Sequence, residues 1–407
     1  MEEKPKLRQD IEIIPGQMHG KKVVIIKDAL GLLENPVVLS SNSLEMLLLL
    51  DGKRTVRDIQ VAMMRYRGGI LVRSDEIEKV LNQLDQYFLL DNERYRKLRD
   101  QIISEFTSQK IRYSSNAGIS FPGARQELRE FIDEILSYEP ENKINLVLSN
   151  KQIQVLVAPH IDIQVAYDLY ALSYKFIQGL KPELIIILGT GHSMLDGYFC
   201  LTKKDFETPL GIAKTNKKLV EKLSISGKDI ITKDDFPHKK EHSIEFQLIF
   251  LQYLFKPDIS ILPILCGSFS NVLGKYKRPM DIPGVDKFLI TLKEIIKNYR
   301  DKVLIVAGVD FSHIGPKFGD RMPAEFIMKS AKKHDNDLIN ALCDNNVEQF
   351  WNYGYKVEDK YHVCGFSTLA CLLEILPEHL RGNLLDYDMW YEETTQSAVG
   401  FSSIIFS

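Results

Sequence analysis

The chain has 407 residues, of which 44% are hydrophobic and 26% are charged, a composition typical of a globular protein with two or three domains. Its net charge of -3 gives no broad electrostatic footprint for nucleic acid. The apolar runs are too short to span a bilayer, and the polar opening does not have the form of a signal peptide. Five dispersed cysteines without a CxxC pair indicate reduced thiols. We therefore expect a cytoplasmic protein that binds neither nucleic acid nor membrane.

Residues 1–100 are predicted to form a small domain of short elements. A strand over 21–28 is followed by two helices, with an Asp-Gly turn at 51–52 between them. Thr55 can cap the second of these helices, and Asp58 then completes an approximate capping box. The pattern therefore predicts a strand followed by a helix-turn-helix arrangement.

A third helix of this domain is expected to begin with Ser74 as its N-cap. Such an order of elements is typical of a helix-turn-helix or winged-helix module, a shape used with both DNA and protein partners. Residues 1–110 hold 18 Lys and Arg against 17 Asp and Glu, and this balance leaves few uncompensated cations for phosphate. We therefore predict a winged-helix-like α+β module that binds a protein or peptide and not DNA.

Residues 101–150 are more polar and are predicted as a helical linker. From 151 to 407 the chain alternates strand-like and helix-like runs, which predicts an α/β domain whose largely parallel sheet is flanked by helices. The predicted strands, in chain order, are IQVLVAP, ELIIILG, YFCLT, ISILPILC and VLIVAGV, followed by a C-terminal antiparallel pair, LLDYDMWYE and SAVGFSSIIFS.

Four side chains capable of metal binding or proton transfer follow predicted strands: His160, His192, Asp310 and His313. In an open α/β sheet the ligand crevice lies outside the carboxyl ends of the strands, so we expect these residues in one place. Cys364 precedes an apolar helix, whose dipole is expected to lower the pKa of the thiol. Two imidazoles and one thiolate suit iron, copper or zinc and leave positions open for substrate. The sequence therefore predicts His160, His192 and Cys364 as metal ligands.

A second cluster lies in the segment HKKEHSIEFQ at 238–247. His238 and His242 are four residues apart, the spacing that places two side chains on one face of a helix. Glu241, His242 and Glu245 fall in the first turn of a predicted amphipathic helix. They are candidates for an acid–base set or for residues that orient the metal ligands. Asp310 and His313 are candidates for the same roles.

Each of these residues also has a plain structural interpretation. A histidine at a strand end is often a hydrogen-bonded structural residue, and a lone buried cysteine is often part of the core. The glycines at 189–191 would also suit a small phosphate-binding nest. His19, His334, His362 and His379 belong to no pattern and receive no role. The repetition at equivalent strand ends is what favours a functional site.

Seven segments between 151 and 407 are distinctive: PHID at 159–162, LGTGHS at 188–193, FETPLG at 206–211, EHSIEFQ at 241–247, ILPILCGSF at 261–269, DFSH at 310–313 and VCGFST at 363–368. In this order they resemble the Memo family, and specifically its bacterial and archaeal branch, called AmmeMemoRadiSam system protein B. In the N-terminal region, LDGKRTVRDI and LDQYFLLDN resemble PqqD-like peptide chaperones, which bind leader peptides.

The resemblance implies a fold similar to the LigB-type (class III) extradiol dioxygenases, with an iron or copper pocket. His160, His192 and Cys364 match its metal ligands. The remainder of the pocket, with the catalytic side chains, is matched by His242, Asp310 and His313. In the dioxygenases the third protein ligand is a carboxylate, and a thiolate at that position changes the redox chemistry. The branch name implies radical-SAM and AMMECR-type proteins as partners.

Two functions from different classes remain open at this point. The first is a non-haem, metal-dependent oxidoreductase that uses iron or copper, with zinc as a third option, on a small-molecule or peptide substrate. The second is a non-catalytic module that binds a peptide or protein through the same pocket or the N-terminal domain. Metal content with dioxygen consumption would favour the first function. A stable partner complex formed without metal would favour the second.

Overall fold

The computed structural model describes residues 4–18, 21–28, 30–33, 36–40, 43–139, 154–255, 259–299 and 302–407. The chain divides into two compact units: the first is Met1–Ser108 with Gly315–Arg321 and Glu392–Gln396, and the second is Gln109–Ile314 with Met322–Tyr391 and Ser397–Ser407. Among the described residues, no helix combines the length and apolar character needed to cross a membrane. All five cysteines are free.

The first unit combines a small antiparallel sheet with helices. Its strands, in sheet order, are β1 (Ile11–Met18), β2 (Lys21–Asp28) and β3 (Val37–Ser40). Its helices are α1 (Ser43–Leu47), α2 (Val56–Tyr66), α3 (Ser74–Gln86) and α4 (Glu93–Ser108). The strand predicted over 21–28 is therefore confirmed, whereas the winged-helix-like and PqqD-like interpretations of this unit stay predictions.

In this unit the predicted N-cap is found at one helix and not at another. Thr55 caps α2, and its hydroxyl and backbone N–H form the full capping box with Asp58. Ser74 does not cap α3, because the N-cap is Arg73 and the Ser74 hydroxyl donates instead to Gln60 Oε1 at 3.1 Å. The predicted N-cap at Ser74 was therefore wrong: a tertiary contact with α2 takes the hydroxyl.

The second unit is mixed α/β. Within the part of the chain that the structure describes, its sheet has eleven strands, with β12-β14-β5-β11-β6-β10-β9-β8-β4 in order, β13 beside β14 and β7 beside β10. The strands are β4 (Ile111–Arg112), β5 (Val155–Ala158), β6 (Leu184–Thr190), β7 (Phe199–Leu201), β8 (Asp205–Thr208), β9 (Gly211–Thr215), β10 (Ser260–Cys266), β11 (Val303–Gly308), β12 (His313–Ile314), β13 (Gly382–Glu392) and β14 (Ser397–Phe406). The helices are α5 (Arg125–Ser137), α6 (Tyr167–Lys175), α7 (Lys217–Ser226), α8 (His242–Phe255), α9 (Val285–Tyr299), α10 (Met328–Cys343), α11 (Val347–Val357) and α12 (Phe366–Ile375).

The centre of this sheet is parallel, which confirms the α/β prediction in its coarse form. β11 pairs in parallel with β5 on one side and β6 on the other, and β10 continues the sheet in parallel beyond β6. Every residue of β5, β6 and β11 is buried. Helices cover both faces of buried parallel strands, so the sequences of these strands are continuous apolar runs. Of the predicted linker 101–150, residues 140–150 lie outside the described part of the chain.

Helix α8 is buried on all sides, so the prediction of an amphipathic helix was wrong. Ser243–Gln252 is an unbroken buried stretch. Its polar side chains are satisfied inside the protein; for example, Gln247 donates to Pro159 O at 2.9 Å. A Cβ atom on Gly308 would lie 2.2 Å from the carbonyl oxygen of Ser243, so only glycine at that position allows α8 to lie this close to β11. The close approach fixes where α8 begins.

Candidate metal centre

Each of three neighbouring strands is followed by a polar side chain, and the distance along the chain from the end of the strand is the same in all three. His160, Asp310 and His192 each lie two residues beyond the last residue of β5, β11 and β6, and β11 lies between the other two strands. Cys364 arrives from the turn before α12, and its Sγ lies 3.4 Å from Nε2 of His160. One ligand atom from each of His160, His192 and Cys364 lies within 4.8 Å of the other two. The structure therefore brings the three predicted ligands together.

The imidazole of His160 is held in one orientation and one tautomer. Its Nδ1 lies 2.9 Å from the carbonyl oxygen of Gly308, which can only accept, so Nδ1 carries the proton. The backbone N–H of His160 donates to Asp310 Oδ1 at 2.9 Å. Burial, and then the neighbouring His192, lower the pKa of His160 to about 3. The ring is therefore neutral and presents the lone pair of Nε2 towards Cys364.

His192 is oriented by Glu241, a residue just before α8. The Nδ1 of His192 lies 3.0 Å from Oε1 and 3.1 Å from Oε2 of this carboxylate, which also accepts the N–H groups of His192 and Ser243. Burial opposes ionisation of both partners, but their mutual attraction outweighs it. The pKa of Glu241 therefore lies well below its ordinary value and that of His192 well above. Because Glu241 binds Nδ1, the other ring nitrogen of His192, Nε2, can bind a metal. Carboxylates commonly orient metal-binding histidines in this way.

The expected low pKa of Cys364 was wrong. Burial raises the pKa of this thiol, and the neighbouring His192 offsets only part of that effect. Cys364 also lies outside α12, whose N-cap is Gly365, so the helix dipole acts on it less than the sequence suggested. Without a metal the thiol keeps its proton, and binding a metal would release that proton.

Two of the three side chains predicted to be catalytic adjoin the candidate ligands, and Asp310 Oδ2 lies 3.5 Å from Nε2 of His160. The ring centroid of His242, the first residue of α8, lies 5.1 Å from that of His160 and 5.0 Å from that of His192. Burial lowers the pKa of His242 to about 4 although Glu241 opposes this shift, so desolvation decides a balance that the sequence left open. Burial also raises the pKa of Asp310.

His313 is held much as His160 is. Its Nδ1 donates to the carbonyl oxygen of Phe311 at 2.9 Å, and its backbone N–H donates to Tyr361 O at 2.8 Å. Burial lowers the pKa of His313 to about 4, with Asp310 opposing that shift. The imidazole is therefore neutral, and its Nε2 can accept a proton.

Two residues of the second sequence cluster lie outside the site. His238 ends a short 3-10 turn before α8, is buried, and has Nε2 3.2 Å from the carbonyl oxygen of Cys200. It therefore does not share a helix face with His242. Glu245 forms a buried ion pair with Arg112 and accepts the backbone N–H of Asn116 at 3.0 Å. The hydrogen bonds of its carboxylate go to Arg112 and to residues 114–116, so neither the acid–base nor the orienting role predicted for Glu245 has a contact with a metal ligand to support it.

The N–H groups at 190–192 are not available for phosphate. That of Thr190 donates to Ser243 Oγ at 3.0 Å, that of Gly191 to Cys266 O at 2.9 Å, and that of His192 to Glu241. All three donors are used to hold the turn against β10 and α8. The phosphate-nest interpretation of this segment was therefore wrong.

Sequence reasoning missed two buried residues that support the site. Arg112 donates through Nε to His238 O at 3.0 Å and through Nη2 to Glu241 O at 2.9 Å, so it fixes the backbone on both sides of the turn before α8. Asp335 in α10 accepts the hydroxyl protons of Ser312, at 2.5 Å, and Tyr387, at 2.8 Å. Neither residue has a distinguishing pattern in the sequence, because each is defined by partners far away in the chain.

Comparison with known proteins identifies the family. The sequence model of Memo-like proteins matches residues 112–405, a range that contains every residue of this site. The chain belongs to the Memo-like protein family. It is 30% identical to a MEMO1 family protein of Aquifex aeolicus over 99% of this chain and 100% of that protein. It is 25% identical to a MEMO1 family protein of Thermus thermophilus over 86% of this chain and 99% of that protein.

Two further comparisons define the extent of the likeness. The Memo-like match begins at Arg112, earlier than the 151 expected from the motifs, so α5 and the last residue of β4 belong to it. Among solved structures, an uncharacterized protein of Escherichia coli K12 is similar with a TM-score of 0.37 and 13% identity, over 62% of this chain and 99% of that one.

A cavity of about 300 Å³ adjoins the site of this Memo-like chain. His192 and Cys364 form part of its wall, together with Asp359 and His362. Glu358, Asp359 and His362 have left-handed backbone conformations, with φ of 49°, 59° and 47°, although none is glycine. Backbone strain of this kind is concentrated at functional sites. The cavity gives a small molecule access to two of the three candidate ligands.

Proposed function

We propose that this Memo-like protein is a metal-dependent oxidoreductase whose iron or copper ion is bound by His160, His192 and Cys364. The observation that carries the proposal is the 3.4 Å approach of His160 Nε2 to Cys364 Sγ beside an open cavity. Two nitrogen donors and one thiolate suit iron and copper, and also zinc, and three protein ligands leave a position for substrate. The tautomer of His160 fits the role, since its free lone pair faces Cys364.

The similarity to LigB-type extradiol dioxygenases is part of this proposal. It is supported by the resemblance of the strand-end motifs and by the mixed α/β architecture. In those dioxygenases a carboxylate occupies the position that matches Cys364. A thiolate donates more charge to the metal, so we expect a reaction different from ring cleavage.

The surrounding side chains supply proton transfer and positioning. When bound, the metal would supply one-electron chemistry and Lewis acidity to a substrate in the cavity. His313 and His242 are neutral and can accept a proton from that substrate or return it. Asp310 holds the backbone of His160 in place through its carboxylate. We further propose that the reaction takes place in the cytoplasm, with radical-SAM and AMMECR-type proteins as partners.

Anaerobic purification followed by elemental analysis tests the function. We expect bound iron or copper in the wild type, loss of that metal in His160→Ala and Cys364→Ser, and no loss in Cys343→Ser, a half-buried cysteine at the end of α10 that serves as the control. The loaded wild type should then consume dioxygen in the presence of a reductant. Metal that survives Cys364→Ser, or a wild type without metal, would contradict the proposal.

Peptide binding by the N-terminal unit is a second candidate function. One observation favours it: a cavity of about 660 Å³ between β3, the last strand of its sheet, and the end of α3. Leu39 and Tyr87 contribute to its wall, and strand addition is a common mode of peptide recognition. Selection of a displayed random-peptide library on the full chain tests this function. Peptides that bind equally well to Leu39→Arg would contradict it.

A further inference from the structure

The carboxylate of Glu241 lies between two imidazoles and not beside one. Its Oε1 atom is 3.0 Å from Nδ1 of His192 and 3.4 Å from Nδ1 of His242. The two rings are stacked, with centroids 5.0 Å apart and planes inclined by 13°. One ligand atom from each of the three residues lies within 4.8 Å of the other two. The three donors therefore converge as the atoms of a metal site do.

A simple hydrogen bond explains only half of this arrangement. The contact between His192 and Glu241 has the length of an ordinary N–H···O bond, but the 3.4 Å contact with His242 exceeds the usual range. Ligand atoms bound to one ion at about 2.0–2.2 Å lie roughly 3–3.5 Å apart, and both distances fit that spacing. The geometry suits an ion held by all three groups.

We propose that Glu241, His242 and Nδ1 of His192 form a second divalent-cation site. His192 would bridge it to the ion of His160 and Cys364 through its two ring nitrogens. The proposal rests on the proposed function only through this shared imidazole. Binding of both ions releases both ring protons of His192 to solvent: the ion at Nε2 replaces one, and the ion at Nδ1 replaces the proton shared with Glu241, so the bridging ring would be an imidazolate.

The donor set and the surroundings define which ions the second site takes. Two imidazoles and one carboxylate form a harder set than one that includes a thiolate, and they suit Zn²⁺, Fe²⁺ or Mn²⁺. The side chains of His192 and His242 are 37% and 36% exposed, so an ion that keeps some of its water can enter. Glu241 is only 3% exposed and supplies a negative charge from inside the protein. With His242 acting as a ligand, His313 remains as the acid–base residue.

Titration of the metal-free full chain with Co²⁺ under anaerobic conditions tests the proposal, with bound cobalt and the cobalt–thiolate absorption as readouts. We expect two equivalents in the wild type. Cys364→Ser should keep one equivalent and lose the thiolate absorption. Glu241→Gln and His242→Ala should each keep one equivalent together with the thiolate absorption. In Glu241→Gln that equivalent should bind about 10–100-fold more weakly, because Glu241 also orients His192 in the first site. His379→Ala, at an exposed histidine, is the control and should still bind two.

The outcomes separate this proposal from the proposed function. One equivalent in the wild type, abolished by Cys364→Ser and unchanged in Glu241→Gln, would overturn the second site and leave the first. The absence of any bound cobalt in the wild type would overturn both. Glu241→Gln preserves the size of the side chain, so it gives a result even if His242→Ala does not fold.

Discussion

The Nε2 atom of His160 lies 3.4 Å from the Sγ atom of Cys364, although 204 residues separate them in the chain. Two constraints produce this approach. The Nδ1 hydrogen bond to Gly308 O fixes the ring of His160, and the N–H of Gly365 donates to Asp310 O at 3.0 Å, which fixes the backbone next to Cys364. Gly308 is the last residue of β11 and Asp310 lies in the loop that follows it, so both constraints depend on where β11 ends. Changes that move this loop should therefore change metal affinity.

Replacing Gly308 by alanine should weaken both folding and metal binding. The added Cβ atom would lie 2.2 Å from Ser243 O, so α8 must shift away from β11 and carry His242 with it. We expect a loss of about 1–3 kcal/mol in the free energy of unfolding, the usual cost of overpacking. Thermal unfolding and metal titration measure the two effects. Gly123→Ala, where the nearest atom to the new Cβ is 3.4 Å away, is the control; equal effects at both positions would contradict this account.

Removing only one partner of the buried ion pair of Arg112 and Glu245 should lower the free energy of unfolding. Both side chains are 1% exposed, so Arg112→Met leaves Glu245 as an uncompensated buried charge. We expect a loss of about 3–5 kcal/mol in the free energy of unfolding. Adding Glu245→Gln to Arg112→Met should recover part of that loss, and a denaturant titration of the three proteins measures it. A double variant less stable than Arg112→Met would argue against the ion-pair explanation.

Asp335 should make stability depend on pH between about 4 and 6. Burial raises its pKa to about 6 from an ordinary value near 3.8, so the folded state binds more protons than the unfolded state in this range. Stability should therefore fall as pH rises from about 4 to 6, by an amount on the order of 3 kcal/mol. Denaturant titrations at several pH values should show this fall in the wild type and a smaller one in Asp335→Asn. An identical pH profile in the two proteins would contradict the prediction.

The N-terminal unit should show no affinity for duplex DNA. The nearly equal numbers of basic and acidic residues over 1–110 leave few free cations to replace the counterions of phosphate. A gel-shift titration of the full chain at low salt measures this. Salt-dependent binding in the micromolar range or tighter would overturn the prediction.

The strand-end residues could be predicted because they depend on local pattern and topology alone. An apolar run followed by a histidine or aspartate identifies the carboxyl end of a parallel strand, and such ends share one edge of a sheet. His160, His192 and Asp310 were found in this way. Cys364 was found from its position before an apolar helix.

The features that sequence reasoning missed depend on burial. The burial of α8 appears only once the helices pack against the sheet. Desolvation by burial then decides the pKa of His242, and likewise that of Cys364. Arg112 and Asp335 act through partners more than twenty residues away, and no local spacing reveals such partners. The sequence therefore located the candidate ligands and, in Glu241 and Asp310, two of the groups that orient them. It located neither Arg112 and Asp335 nor the protonation of the site.

X-ray absorption at the metal edge tests the central claim most directly. Apoprotein loaded anaerobically with one equivalent of Fe²⁺ or Cu⁺ should show one sulfur neighbour at about 2.3 Å and nitrogen neighbours at about 2.0–2.1 Å. The sulfur contribution should vanish in Cys364→Ser and persist in Cys343→Ser. A shell of nitrogen and oxygen alone in the wild type, or a sulfur neighbour that survives Cys364→Ser, would contradict a metal centre built from His160, His192 and Cys364.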